Sequence, residues 1–179
     1  MKLNIELSKR RRERAAVILN GLLADEFILG TKTRNTHWNV TGPNLHDLHK
    51  LFASQSGSLH KIMDDVAHRA RALGGHKAGT LSTLFEFFEL ARLKEQSWKY
   101  PSASQMTAQL ITGHEAVIRQ LRGDVVVCNE KLGDAGTADF LGGLMKQHEK
   151  MARMLRTVLE EKDQAQTNGT IRPLTKERK

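Results

Sequence analysis

The 179-residue sequence predicts an all-α fold: a four-helix bundle with one long crossover between its second and third helices, and a short extra helix inside that crossover. Three observations predict it. Apolar residues recur at helical spacing in four long segments, glycine or proline marks the breaks between them, and one break, residues 74–101, is much longer than the others. A helical bundle with a single long crossover needs such a link at that place.

Ser8 is a competent N-cap for the first helix, although the arginines behind it lie on the unfavourable side of the helix dipole. Ala15, Ile18, Leu19, Leu22, Leu23 and Phe27 then keep one apolar stripe as far as the turn Thr41-Gly42-Pro43. Pro43 opens the second helix and Gly74-Gly75 end it. In the crossover, Leu81 to Leu93 reads as a short helix through Leu84, Phe85, Phe88, Leu90 and Ala91, with Gly79 and Pro101 as punctuation. The third helix starts near Ser102 or Ser104 and carries Met106, Leu110, Ile111, Val117, Ile118 and Leu121 to about Lys131, where Gly133, Asp134 and Gly136 break it. The fourth runs from Thr137 through Phe140, Leu141, Leu144, His148, Met151, Met154, Leu155 and Val158 to about Lys162. From Asp163 the chain has no period and few apolar groups, which reads as a flexible tail.

A hydrophobic fraction of 39% over this length suits one domain, residues 15–162, between a basic extension at 1–14 and a basic tail at 163–179. No apolar run approaches the ~18 residues of a membrane span, and the N-terminus lacks the apolar core of a signal peptide, so a cytoplasmic protein is expected. The single cysteine, Cys128, lies among Val125, Val126 and Val127 and reads as a buried inert thiol. No Gly-rich phosphate loop, CxxC pair or nucleophile elbow is present.

The net charge of +8 is concentrated at the ends: residues 1–14 carry +4 and residues 162–179 carry +3, leaving +1 for everything between. Lys9, Arg10, Arg11, Arg12 and Arg14 at one end, with Arg172, Lys176, Arg178 and Lys179 at the other, are the candidate contacts to a phosphate backbone. A charge run on a monomer is ordinarily a solvating face. Many copies displayed on one particle would act together on DNA.

The candidate chemistry lies between His37 and His68. His49 and Asp64 are fifteen positions apart on one continuous helix, about 22 Å at ~1.5 Å per residue, whereas metal ligands sit ~2 Å from their ion. One chain therefore does not close a site from His37, His49, Asp64 and His68. A second, antiparallel copy of the same helix does, if the two cross between residues 56 and 59, where Ala53, Ser54, Ser56, Gly57 and Ser58 are all small. Mid-helix glycine costs roughly 0.5–1 kcal/mol relative to alanine, and close approach of two backbones is one reason to accept it. Two equivalent sites then follow, each with His37 and His49 from one chain and Asp64 and His68 from the other. Asp64 with His68 is also an i, i+4 pair that a local hydrogen bond would equally explain. His60 joins the same stripe as a further ligand or as a solvated histidine. His114 and His148, beside Glu115 and Glu149, read as core or surface histidines.

The strings Leu-Ala-Asp-Glu-Phe from Leu23, Asn-Thr-His-Trp-Asn-Val-Thr-Gly-Pro from Asn35, Leu-His-Lys-Leu-Phe from Leu48, Gly-His-Glu from Gly113, Gly-Thr-Ala-Asp from Gly136 and His-Glu-Lys from His148 resemble the Dps family, the starvation-inducible, DNA-protecting mini-ferritins. The resemblance covers residues 15–160. It implies a ferritin-like four-helix subunit, a hollow twelve-subunit shell, and iron oxidised by peroxide or oxygen at sites between two-fold-related subunits. In the family pattern His37 and His49 match the two histidines and Asp64 the aspartate. Two positions depart from it: His68 stands where a glutamate is usual, and Ala53 where an acidic residue is usual. Loss of carboxylates and gain of imidazole moves the preference toward zinc or copper, and such a site should lose metal below about pH 6.5 as its imidazoles protonate. Asp134 and Asp139 resemble acids that line the family's iron-entry pores. Trp38 could intercept an oxidising equivalent or fill the dimer interface. Two functions follow: a stress-responsive ferroxidase and storage cage that binds DNA, or a nucleoid particle whose site holds static zinc.

Overall fold

A computed structural model describes residues 5–42, 44–75, 91–93 and 101–169, with side chains of the last helix to residue 160. Four long helices make up the bundle: α1 (Lys9–Asn39), α2 (Leu45–Ala72), α3 (Ala103–Val126) and α4 (Ala135–Gly169). A π-helical turn, Val127–Lys131, extends α3 before the break. No strand occurs among the described residues.

The ends form for the reasons the sequence offers. Ser8 caps α1, its hydroxyl accepting from the Arg11 backbone N–H at 3.3 Å. Ser102 caps α3 in a full capping box with Gln105. At the first turn, Asn44 rather than Pro43 is the cap residue of α2; it holds the left-handed conformation with φ 63°. The expected crossover helix lies outside the described residues except for Ala91–Leu93, which are not helical. The fourth helix starts two residues before Thr137 and continues to Gly169, so the stretch 163–169, aperiodic in sequence, is helical. Its backbone has no competing turn former before Asn168-Gly169 to end it.

α1 packs antiparallel along α2, and α3 pairs with α4. Leu19, Leu22 and Leu29 of α1, Phe52, Leu59, Ile62 and Val66 of α2, Leu110, Val117 and Leu121 of α3, and Leu141, Leu144 and Leu155 of α4 fill the shared core. Truncating one such leucine to alanine costs about 2–5 kcal/mol. Gly113 sets the distance between α1 and α3, because a Cβ there would stand 2.7 Å from Leu29 Cδ1.

Buried polar groups tie the ends of the bundle. Asp25 is fully buried and accepts the backbone N–H groups of Arg92 (2.6 Å) and Leu93 (2.7 Å), while the Arg92 guanidinium pairs with Asp25 (3.1 Å) and Asp124 (2.9 Å). At the other end Asp134 caps α4, accepting the Thr137 N–H at 2.9 Å and its hydroxyl at 2.6 Å, and Arg69 reaches across from α2 to Asp134 (3.1 Å) and Thr137 (2.9 Å). Arg12 joins the start of α1 to the end of α2 through the carbonyls of Leu7 (3.2 Å) and Leu73 (3.4 Å).

Candidate metal centre

The turn between α1 and α2 brings His37 and His49 together. Their ring centroids are 3.8 Å apart, and His37 Nδ1 lies 3.1 Å from the His49 carbonyl. A neutral His37 donates there from Nδ1 and keeps the Nε2 lone pair free. His49 is exposed, so two imidazoles from different helices sit side by side at the surface.

Asp64 and His68 lie further along α2, both exposed, on the same outward stripe as Ala53 and Gly57. A Cβ at Gly57 would meet nothing within 4 Å in the subunit. The stripe is thus small at its middle and carries donor groups toward both ends. Among the described residues, no three His, Cys, Asp or Glu side chains converge on one point within a single chain. His37 and His49 are paired; Asp64 and His68 are not brought to them.

His60 is committed differently. Its Nδ1 donates to the Ser56 carbonyl at 2.7 Å, which leaves the lone pair on Nε2, and the Arg34 guanidinium donates to that nitrogen at 3.1 Å. Both ring nitrogens are occupied within the subunit. Beside it Phe27, Gly30, Trp38 and Met63 line a cavity of about 470 Å³, and Trp38 is 70% exposed. Trp38 thus stands at the surface next to an open groove on the α1–α2 face.

Elsewhere, Lys9, Arg10, Arg11 and Arg14 are exposed on the first turns of α1, whereas Arg12 is half-buried in its two carbonyl contacts. Arg172, Lys176, Arg178 and Lys179 lie outside the described residues. Asp139 is exposed, but the Asp134 carboxylate is buried and used by the α4 cap and Arg69. Glu115 and Glu149 turn away from their neighbouring histidines to pair with Arg156 (2.6 Å) and Arg122 (2.7 Å).

A ferritin-like domain model matches residues 17–165. A DNA protection during starvation protein of Brevibacillus brevis is 30% identical, over 81% of this chain and 94% of its own length. The chain belongs to the Dps family of ferritin-like proteins. A low temperature-induced protein of Nostoc is 40% identical over 94% of this chain and 92% of its own length. Among solved structures, a Dps protein from Bacillus brevis is 30% identical with a TM-score of 0.75, covering 89% of this chain and 99% of that one. DpsC from Streptomyces coelicolor shares the fold at a TM-score of 0.82 and 24% identity, over 89% and 91% of the two chains.

Membership in the Dps family was carried by the strings around His37, and the structure explains their composition. Thr33 and Thr36 are buried with their hydroxyls on the preceding turn, at 2.8 and 3.0 Å, and Val40 closes the core beneath the turn. Those side chains fix where α1 stops and therefore where His37 stands. One polar set was not read as a unit from sequence: Glu26, His114 and His148, from α1, α3 and α4, touch one another in the core. Each occupies a core position of its own apolar stripe, Leu22-Glu26-Leu29, Leu110-His114-Val117 and Leu144-His148-Met151, and a charge in that register was the available signal.

Proposed function

We propose that the protein is an iron-oxidising storage cage whose sites form between two subunits, His37 and His49 of one facing Asp64 and His68 of the other. The observation that carries this reading is the surface pairing of His37 and His49 together with the exposed stripe on α2 that runs from small residues to Asp64 and His68. Ferrous iron is the substrate. Each of two ferrous ions gives one electron to a peroxide, which takes up two protons and leaves as two waters; the ferric product hydrolyses to mineral. Removing iron and peroxide together suppresses hydroxyl-radical chemistry near DNA.

The chain's own contribution is position and charge. The turn presents two neutral imidazoles as nitrogen donors, and Asp64 supplies the negative charge that favours ferric over ferrous ion. A twelve-subunit shell with two-fold contacts between α2 helices would also cover Trp38 and the groove beside it. Asp139, exposed at the start of α4, is the acid available to an entry pore. The exposed arginines at the root of α1, with the basic C-terminal residues, would hold DNA through its phosphates in the cytoplasm, most strongly at low salt.

A second reading rests on Ala53 and His68: with two carboxylates replaced, the site would hold zinc in place and the particle would act on DNA without turning iron over. Stopped-flow absorbance after anaerobic ferrous loading separates the two. The first gives stoichiometric ferric product on mixing with peroxide, faster than buffer; the second gives the buffer rate.

A further inference from the structure

The Glu26, His114 and His148 side chains are all fully buried. His148 Nε2 lies 2.9 Å from Glu26 Oε1, and His148 Nδ1 lies 3.0 Å from His114 Nδ1. The three are strung as a chain across the bundle, from α1 through α4 to α3. The second contact is a hydrogen bond. The first is at ion-pair distance without being a hydrogen bond, and Glu26 Oε1, Glu26 Oε2, His148 Nε2 and His114 Nε2 all lack a hydrogen-bond partner among the described residues.

That is an expensive arrangement to leave unfilled. Each orphaned buried polar atom carries its desolvation cost uncompensated, and an unpaired buried charge costs more. A simple ion pair would remove most of that by turning the Nε2–H onto the carboxylate, yet no hydrogen bond joins the two. Two donors 2.9 Å apart and not hydrogen-bonded to each other fit neighbouring ligands of one octahedral ion, for which bonds of ~2.1 Å at right angles put the donors about 3.0 Å apart. Gly113, next to His114, permits the close approach of α1 and α3 at this level.

We propose that Glu26 and His148 form an intra-subunit site for one divalent transition-metal ion inside the bundle, with His114 as the residue that positions the His148 ring. His148 binds through Nε2 and donates its Nδ1–H to His114 Nδ1, the arrangement by which an outer partner fixes the tautomer of a ligating imidazole. One carboxylate and one imidazole select zinc, ferrous iron, cobalt or manganese over calcium or magnesium. Only two protein ligands leave positions open for water, so the ion exchanges rather than serving as a permanent structural element. This site lies within one chain, needs no second subunit, and differs from the four-helix dinuclear pattern in taking nothing from α2.

The test is a crystal of the full chain grown after equilibration with excess zinc. The expected result is an anomalous peak about 2.0–2.3 Å from a Glu26 carboxylate oxygen and from His148 Nε2 in every subunit. Water or nothing at that position, or a straight Nε2–H hydrogen bond to Glu26, overturns the proposal. In solution, cobalt titrations followed by absorbance should show one ion fewer per subunit for Glu26→Gln and His148→Gln. His114→Gln should keep the ion with affinity lowered 10–100-fold. An unchanged ion count in folded Glu26→Gln also overturns it; if that variant does not fold, the wild-type anomalous map decides alone.

Discussion

Asp134→Ala isolates the latch that joins the end of α2 to the start of α4. The carboxylate does two things: it caps α4 through the Thr137 N–H at 2.9 Å, and it pairs with Arg69 at 3.1 Å. Loss of an N-cap costs about 0.5–2 kcal/mol. A charge-assisted hydrogen bond is worth roughly 1.5–3 kcal/mol, but the Arg69 side chain is 28% exposed and recovers part of that from water and from Thr137, so about 1 kcal/mol is lost. The expected destabilisation is therefore about 1.5–3 kcal/mol. Asp134→Asn keeps a good cap and gives up only the charge, so it should cost about 1 kcal/mol. Urea unfolding of the metal-depleted protein, all variants at one protein concentration, measures both. A loss below about 0.5 kcal/mol for the alanine variant, or equal losses for the two, would refute the division between cap and ion pair. His68 precedes Arg69 on α2, so the alanine variant should also loosen the end of the helix that carries a proposed ligand.

Three further outcomes follow from the same structure. Gly57→Leu meets no neighbour inside the subunit and improves helix propensity by about 1 kcal/mol, so it should raise subunit stability while giving monomers or small species in analytical ultracentrifugation; an intact large particle would place the crossing elsewhere. The double variant Ala53→Glu, His68→Glu restores two carboxylates and should oxidise ferrous iron faster than wild type in stopped-flow, with slower oxidation ruling out the charge argument. Cys128 is fully buried, and burial first, then Asp134 and Asp124, raise its thiol to about 11. At pH 8 its thiolate fraction is about 100-fold below that of an ordinary thiol, so native alkylation should be slow and should speed up steeply on unfolding. Because the raised value favours the neutral folded form, that contribution to stability persists below pH 9 and is lost as pH rises toward 11.

The helices were legible in the sequence because their signals are local. Ser8 and Ser102 cap where their side chains allow, and the apolar stripes fall on the buried faces. The end of α4 was less legible, because 163–167 has neither an apolar period nor a breaker, and continuation of an existing helix needs neither. The His37 and His49 pair could be seen because a short turn joins their helices. His60 illustrates the limit: its place on the Asp64 and His68 stripe left it open as a ligand or a solvated histidine, and only the fold shows Arg34, twenty-six residues away, beside its ring. The Glu26, His114 and His148 contacts span α1, α3 and α4, and no spacing within one helix encodes them.

Arg12 has a bearing on how the basic N-terminus works. Because its guanidinium is fastened to two carbonyls, one on α2, the first turn of α1 cannot fray freely, and Arg10, Arg11 and Arg14 ride on a stiff stalk rather than a loose arm. Their spacing is that of a helix surface, fixed before any polyanion arrives. In the proposed contact with DNA little chain entropy would then be lost as they dock, and their reach would be short: they would grip a strand lying against the particle rather than stretch out to capture one at a distance.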